Sequence, residues 1–219
     1  MYVPKKFEVN DREALYALMR AYPLATVITG GDGLPEADHV PLHLVLRADG
    51  PSLQGHLAKA NPVWQRCTDG TPVLAIFHGP NAYVSPNYYP SKQAGGKVVP
   101  TWNYSVVHVR GRMFLKHEAD WVPQLFDGMT AEHEARQERP WRVADAPADF
   151  SAKLIEYVVG FEIEVDEMLG KFKLSQNANE ADRAGAIAGL ADSGEVGDLV
   201  VSQQMRAQHE LESGAPETD

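Results

Sequence analysis

The chain has 219 residues, 44% hydrophobic and 23% charged, enough to bury a core and ordinary for a globular protein. Lys and Arg number 20 against 30 Asp and Glu, and the net charge of −10 speaks against direct DNA binding and against anionic membranes. A single cysteine, Cys67, excludes an intramolecular disulfide, while the absence of a long apolar run or an apolar leader predicts a cytoplasmic protein with no membrane span.

In chain order, Asn10 or Asp11 can cap a helix over residues 11–21, with Leu15, Leu18 and Met19 on its apolar face. Pro23 to Thr29 reads as a strand closed by the turn Gly30-Gly31-Asp32-Gly33. Pro35 to Leu46 follows with Val40, Leu42, Leu44 and Leu46 on one face, then the turn Ala48-Asp49-Gly50 and a strand around Leu53 to Leu57. Three strands joined by Gly/Asp turns predict an antiparallel meander. Asn61 and Pro62 open a short helix through Trp64. Val73–Phe77 and Ala82–Ser85 read as two separate strands, and Pro86 to Gly96 as a special loop.

The stretch that opens at Lys97 is expected to form the next strand, running to about Leu115, followed by two helices over Asp120–Glu134 and Pro147–Tyr157 and a last strand over Val158–Val165. An Ala/Gly-rich helix spans about Glu180 to Leu190. The expected organisation is one domain over residues 1–195 and an acidic, flexible tail over 196–219. Several short antiparallel strands with peripheral helices predict a mainly β fold, a small closed or split barrel.

Three stretches carry candidate chemistry. Pro100-Thr101-Trp102-Asn103-Tyr104 gathers two amphipathic rings, an amide and a hydroxyl at a strand entrance, which suits a flat, polar-edged ligand or the capping of a barrel end. In Gly55-His56-Leu57-Ala58-Lys59-Ala60-Asn61-Pro62, Lys59 and the N–H groups of the following helix suit a phosphate, or form an ordinary strand-to-helix joint. In Gly170 to Asn177, Lys171, Lys173 and Ser175 alternate and so share a side, as an anion cradle or a solvated edge. No metal site is expected: an extended chain holds His39 and His43 about 13 Å apart, too far to share an ion. No nucleophile elbow, P-loop or dinucleotide fingerprint is present, and no catalytic residue is singled out, although His56 and Tyr104 are candidate proton donors.

Together these blocks resemble one family, the PaiB-like FMN-binding proteins, often described as negative transcriptional regulators. The resemblance rests on Met1-Tyr2-Val3-Pro4-Lys5, His39-Val40-Pro41-Leu42, Gly55 to Pro62, Tyr83-Val84-Ser85-Pro86 with Tyr88-Tyr89, Val99 to Tyr104, and Lys171 to Asn177. Asn87-Tyr88 departs from the Ser-Trp pair more usual in relatives. The resemblance implies an FMN-binding split β-barrel of Greek-key type and a homodimer with FMN at the subunit interface. It places His39, Val40 and Leu42 beside the flavin ring and His56, Ala58, Lys59 and Asn61 towards the phosphate. Thr101, Trp102 and Asn103 would come from the partner subunit, with Lys171, Lys173, Ser175, Gln176 and Asn177 closing the site. It implies a negative transcriptional regulator, the alternative being a flavin-dependent oxidoreductase acting on a small molecule.

Overall fold

The structure is a computed structural model and describes residues 1–30 and 34–214. In chain order the elements are β1 (Glu8–Val9), α1 (Arg12–Ala21), β2 (Leu24–Thr29), β3 (Glu36–Pro41), β4 (His43–Arg47) and β5 (Gly50–Ala58). They continue with α2 (Val63–Arg66), β6 (Thr71–Val84), α3 (Ser91–Gly95), β7 (Thr101–Lys116), α4 (Trp121–Glu134) and α5 (Ala148–Ile155). The chain then forms β8 (Val158–Lys173), α6 (Glu180–Ala191) and α7 (Val196–Gly214). Hydrogen-bonded neighbours run β3-β2-β6-β7-β8-β5-β4, with β1 added on β8. The β1–β8, β2–β3, β2–β6, β4–β5 and β5–β8 pairings are all antiparallel.

Most expected elements form where the periodicity puts them, and the differences have local causes. The stretch from Pro35 to Leu46 is two strands, broken at Leu42. Pro41 has no N–H for a ladder, and Leu42 donates its own N–H to Pro23 O at 2.9 Å. β3 therefore pairs with β2 (Leu24↔Pro41, Thr26↔His39) and β4 with β5 (Leu44↔Leu53), at opposite ends of the strand order, so the expected three-strand meander does not form. Val40, Leu42 and Leu44 are buried across the break, whereas Leu46 is 46% exposed.

β6 is one strand of 14 residues where two were expected. Its buried positions change phase, from Val73, Ala75 and Phe77 to Ala82 and Val84, and that interruption of the period reads as a gap. The special loop holds a 3₁₀ turn at Pro86–Tyr88 and the short α3. β8 runs past Val165 to Lys173; of the tail over 196–219, expected to be flexible, residues 196–214 form α7 with Val201 and Met205 fully buried, and 215–219 lie outside the described residues. The predicted turn at residues 30–33 lies largely outside the described residues.

The chain divides into two compact units: residues 1–15, 78–107 and 169 onward, and residues 16–77 and 108–168. In the second unit, β5 lies on β8 in a register that sets Gly55 opposite Phe161. A Cβ at Gly55 would sit 2.6 Å from the Phe161 ring and 2.9 Å from Leu42, so only glycine lets that ring and Leu42 close the core. On β8, the Glu162 carboxylate is 6% exposed and pairs with Arg47 at 2.6 Å and Lys116 at 3.0 Å.

In the first unit, Ala82, Val84, Leu174, Ala186, Ile187, Leu190, Val201 and Met205 form one buried cluster, with Tyr88, Tyr89 and Phe172 against it. α6 starts on Asn179, whose side-chain oxygen accepts from Asp182 N at 2.9 Å. The α6 glycines serve a close approach: a Cβ at Gly189 would lie 2.2 Å from the Tyr88 ring. Tyr88 is therefore the side chain that seats the 86–88 turn on α6.

Candidate functional site

The first unit gathers the second half of the expected site residues. Lys173, at the end of β8, donates from Nζ to the Thr101 hydroxyl and, at 2.6 Å, to Trp102 O. Burial, and then the charge of Lys171, hold the Lys173 amine below the usual lysine range. Lys171 lies over the Tyr104 ring at 5.3 Å and the Tyr2 ring at 6.0 Å. Among the described residues, no carboxylate lies within ion-pair distance of either lysine; the ion pairs of this chain lie elsewhere. Trp102 is 55% exposed, and Tyr83 meets it edge to face with ring centres 5.9 Å apart.

Below this surface the polar groups are spent on holding the chain. Asn103 is fully buried and donates from Nδ2 to Ser175 Oγ at 2.8 Å. Ser175 takes a left-handed backbone conformation with φ of 64°, uncommon for a residue with a side chain. Gln176 accepts from Leu174 N and donates to Phe172 O, each at 2.7 Å, so its amide clamps its own strand end. Asn177 is exposed.

A cavity of about 250 Å³ opens here, lined among others by Tyr89, Val99, Thr101, Lys173, Ser175 and Asp182. Tyr89 and Asp182 were not anticipated as site residues. Asp182 accepts from Ser91 Oγ at 2.6 Å and Ser91 N at 3.0 Å, and these bonds hold its carboxyl below the usual range. Its signal was the Asn-x-x-Asp spacing from Asn179, a capping pattern.

The second unit gathers the first half. His39 is exposed on β3, with Nδ1 3.2 Å from Thr26 Oγ1. Asn61 donates to Asp38 at 2.7 Å and accepts from Val63 N at 2.9 Å, which ties the β5–α2 connection to β3 beside His39. Ala58 and Lys59 are exposed next to it, and Trp64 Nε1 donates to Lys59 O at 2.9 Å. α2 is a single turn, so it supplies little dipole for a phosphate and Lys59 carries the charge.

Val40 and Leu42 are 4% and 3% exposed, their side chains spent on the core. His56 turns under α4, its ring centre 4.9 Å from that of Phe126, and its buried Nδ1 has no hydrogen-bond partner among the described residues. Desolvation lowers its pKa and favours the neutral ring.

This donor chemistry suits a phosphorylated, flat, polar-edged cofactor. It offers ammonium groups with no carboxylate partner among the described residues, hydroxyl and amide groups at strand ends, and exposed aromatic faces. Among the described residues, no cluster of three or more His, Cys, Asp or Glu suits a metal ion, and no helix is long and apolar enough to cross a membrane.

Comparison with known proteins agrees with this chemistry. Residues 1–167 match a family described as "Putative FMN-binding domain". The chain is 34% identical over 196 residues to Protease synthase and sporulation protein PAI 2 of Bacillus subtilis, covering 87% of this chain and 89% of that one. Among solved structures it is similar to the FAD and heme binding protein from Mycobacterium smegmatis, with TM-score 0.56, 19% identity, and coverage of 76% of this chain and 73% of that one. It is also similar to the flavocytochrome Anf3 from Azotobacter vinelandii, with TM-score 0.53, 18% identity, and coverage of 84% and 78%. At these identities the structural likeness shows the fold, the flavin-binding split barrel expected from the sequence. FMN is the cofactor of the matched family. By the match over residues 1–167 and the 34% identity to the Bacillus protein, this chain belongs to the PaiB-like family of FMN-binding proteins.

Proposed function

We propose that this protein is a homodimeric FMN-binding regulator in which each flavin is held by residues of both protomers. One protomer supplies His39, Val40, Leu42, His56, Ala58, Lys59 and Asn61. Its partner supplies Thr101, Trp102 and Asn103, with Lys171, Lys173, Ser175, Gln176 and Asn177 closing the site. The observation that carries the reading is the pair Lys171 and Lys173, two cations with no carboxylate within ion-pair distance among the described residues, in a chain of net charge −10. Cations left uncompensated in an acidic protein favour an anionic ligand.

The size of the cavity beside Lys173 supports a shared site. About 250 Å³ falls below the roughly 300–1,000 Å³ of complete small-molecule pockets. It suits one end of FMN and leaves the ring to a second surface, for which Trp102 and Tyr83 offer exposed faces. When bound, the flavin supplies one- or two-electron redox chemistry. The chain's own residues bind and orient: Lys59 and Lys173 hold charge, Trp102 covers a face, and Thr101 keeps the Lys173 amine in place.

Regulation is favoured as the role because a relative 34% identical over 87% of this chain carries a sporulation name. The acidic charge makes a protein or metabolite partner the better route to it than operator DNA. A flavin-dependent oxidoreductase is the second reading, favoured by the likeness to a flavocytochrome. Titration of the purified protein with FMN, followed by flavin fluorescence, tests the binding claim: saturable binding weakened in Lys173→Ala supports it, and no binding refutes it. Photoreduction followed by reoxidation with NAD(P)+ and small acceptors, beside a salt series of binding to the protein's own upstream DNA, separates the two roles.

A further inference from the structure

α7 lies beyond residues 1–167, the part matched to the family, yet it reaches the innermost polar groups of the candidate site. Met205, fully buried, brings its sulfur to 3.2 Å from Asn103 Nδ2. The same Nδ2 donates to Ser175 Oγ at 2.8 Å, so one amide joins α7, the start of β7 and the turn that follows β8. One residue pair further along, Ser105 Oγ donates to Gln204 Oε1 at 2.8 Å. A second link comes from α6: Arg183 donates to Gln176 O at 3.0 Å and lies 3.0 Å from His209 Nδ1 on α7.

These contacts converge on the two segments that present Thr101, Trp102 and Lys173. A left-handed serine costs free energy that its surroundings must hold against. Asn103 supplies that hold, and Met205 occupies the remaining side of its amide. The sulfur is a weak acceptor, so its contribution is the rotamer of Asn103 more than bond strength.

We infer that α7 is a positioning element of the cofactor site: Met205 and Gln204 fix Asn103 and Ser105, and through Asn103 the Ser175 turn that places Lys173. Met205 and Gln204 act through other side chains and touch no cofactor themselves. The inference rests on the proposed role of Lys173 and its neighbours in holding FMN.

The test uses full-length Met205→Leu, Gln204→Met and Gln204→Glu. Leucine keeps the apolar volume and removes the acceptor; methionine at 204 does the same for Ser105, whereas glutamate keeps an acceptor oxygen. Met205→Leu and Gln204→Met are expected to weaken FMN about three- to tenfold, with Gln204→Glu close to wild type. In an Asn103→Ala background, Met205→Leu is expected to have no further effect, because the residue through which it acts is gone.

Amide hydrogen exchange of residues 101–105 and 172–177 in cofactor-free protein is expected to quicken in Met205→Leu and Gln204→Met. Unchanged affinity in both variants, or an effect of Met205→Leu that adds in the Asn103→Ala background, would overturn the inference. If the wild type fails to bind FMN, the proposed function falls. Positioning is then decided by the exchange data alone: faster exchange in the variants upholds it and unchanged exchange overturns it.

Discussion

Trp102→Ala separates a ligand-binding wall from a structural cap. The ring is 55% exposed and its one described aromatic partner is Tyr83, at 5.9 Å edge to face. Losing an edge-to-face pair costs about 0.5–1.5 kcal/mol. With the ring half in solvent, the burial lost is well short of the roughly 3–5 kcal/mol of a core Trp→Ala change. Stability by urea denaturation of cofactor-free protein is therefore expected to fall by about 1 kcal/mol. Stacking of a flat heteroaromatic on Trp contributes about 1–3 kcal/mol, so FMN affinity is expected to drop roughly tenfold or more in a fluorescence titration. A loss of more than about 3 kcal/mol of stability with unchanged flavin affinity would refute the assignment and make Trp102 a packing residue.

Three further outcomes follow from the same contacts. Lys173→Ala removes a charged hydrogen-bond donor, so FMN is expected to weaken by about 1.5–3 kcal/mol while riboflavin, which lacks the phosphate, changes little; parallel titrations check this. Gly55→Ala forces a Cβ to 2.6 Å from the Phe161 ring and is expected to cost about 1–3 kcal/mol by urea denaturation.

Glu162 gives the chain an acid limit. Burial raises its pKa, but the neighbouring Ser52 hydroxyl and the Lys116 and Arg47 cations outweigh burial and hold it below the ordinary glutamate value of 4.5. Its contribution is thus fully present above about that pH and is lost as the pH falls through the lowered folded value. Glu162→Gln is expected to lower stability near neutral pH and to flatten this acid limb in a pH series of urea midpoints. A limb of unchanged steepness would count against the reasoning.

The blocks of the candidate site are local: Lys171 and Lys173 alternate at the end of β8, Thr101 and Trp102 sit at a strand entrance, and Ser175, expected to continue the alternation, instead takes a left-handed turn just past the strand. Proximity between blocks was harder to read. Lys173 meets Thr101 only because β8 continues past Val165, where Asp166, Glu167 and Gly170 dilute the strand pattern. The burial of Asn103 was not legible, because a buried amide and an exposed one are the same letter; Ser175 and Met205 engage its amide from 72 and 102 residues away. α7 was missed for a related reason. Glu210 and Glu212 in its sequence made the segment look solvated, while Val201 and Met205 bury its inner face. The break at Leu42 turned on Pro41, whose missing N–H ends one pairing and frees the chain to begin another.

The central claim, one flavin held by two protomers, is tested most directly by mixing damaged subunits. Lys59→Ala and Lys173→Ala each remove one half of every site in a homodimer. If the halves come from different protomers, a co-expressed mixture of the two variants regains intact sites. Each heterodimer has one site with both lysines and one with neither, so about a quarter of all sites recover wild-type FMN affinity under random pairing. The double variant paired with wild type gives no such site, since each of its two sites lacks one lysine. Recovery of a wild-type-affinity fraction in the first mixture is the expected result; a titration showing only weakened sites there would contradict the account.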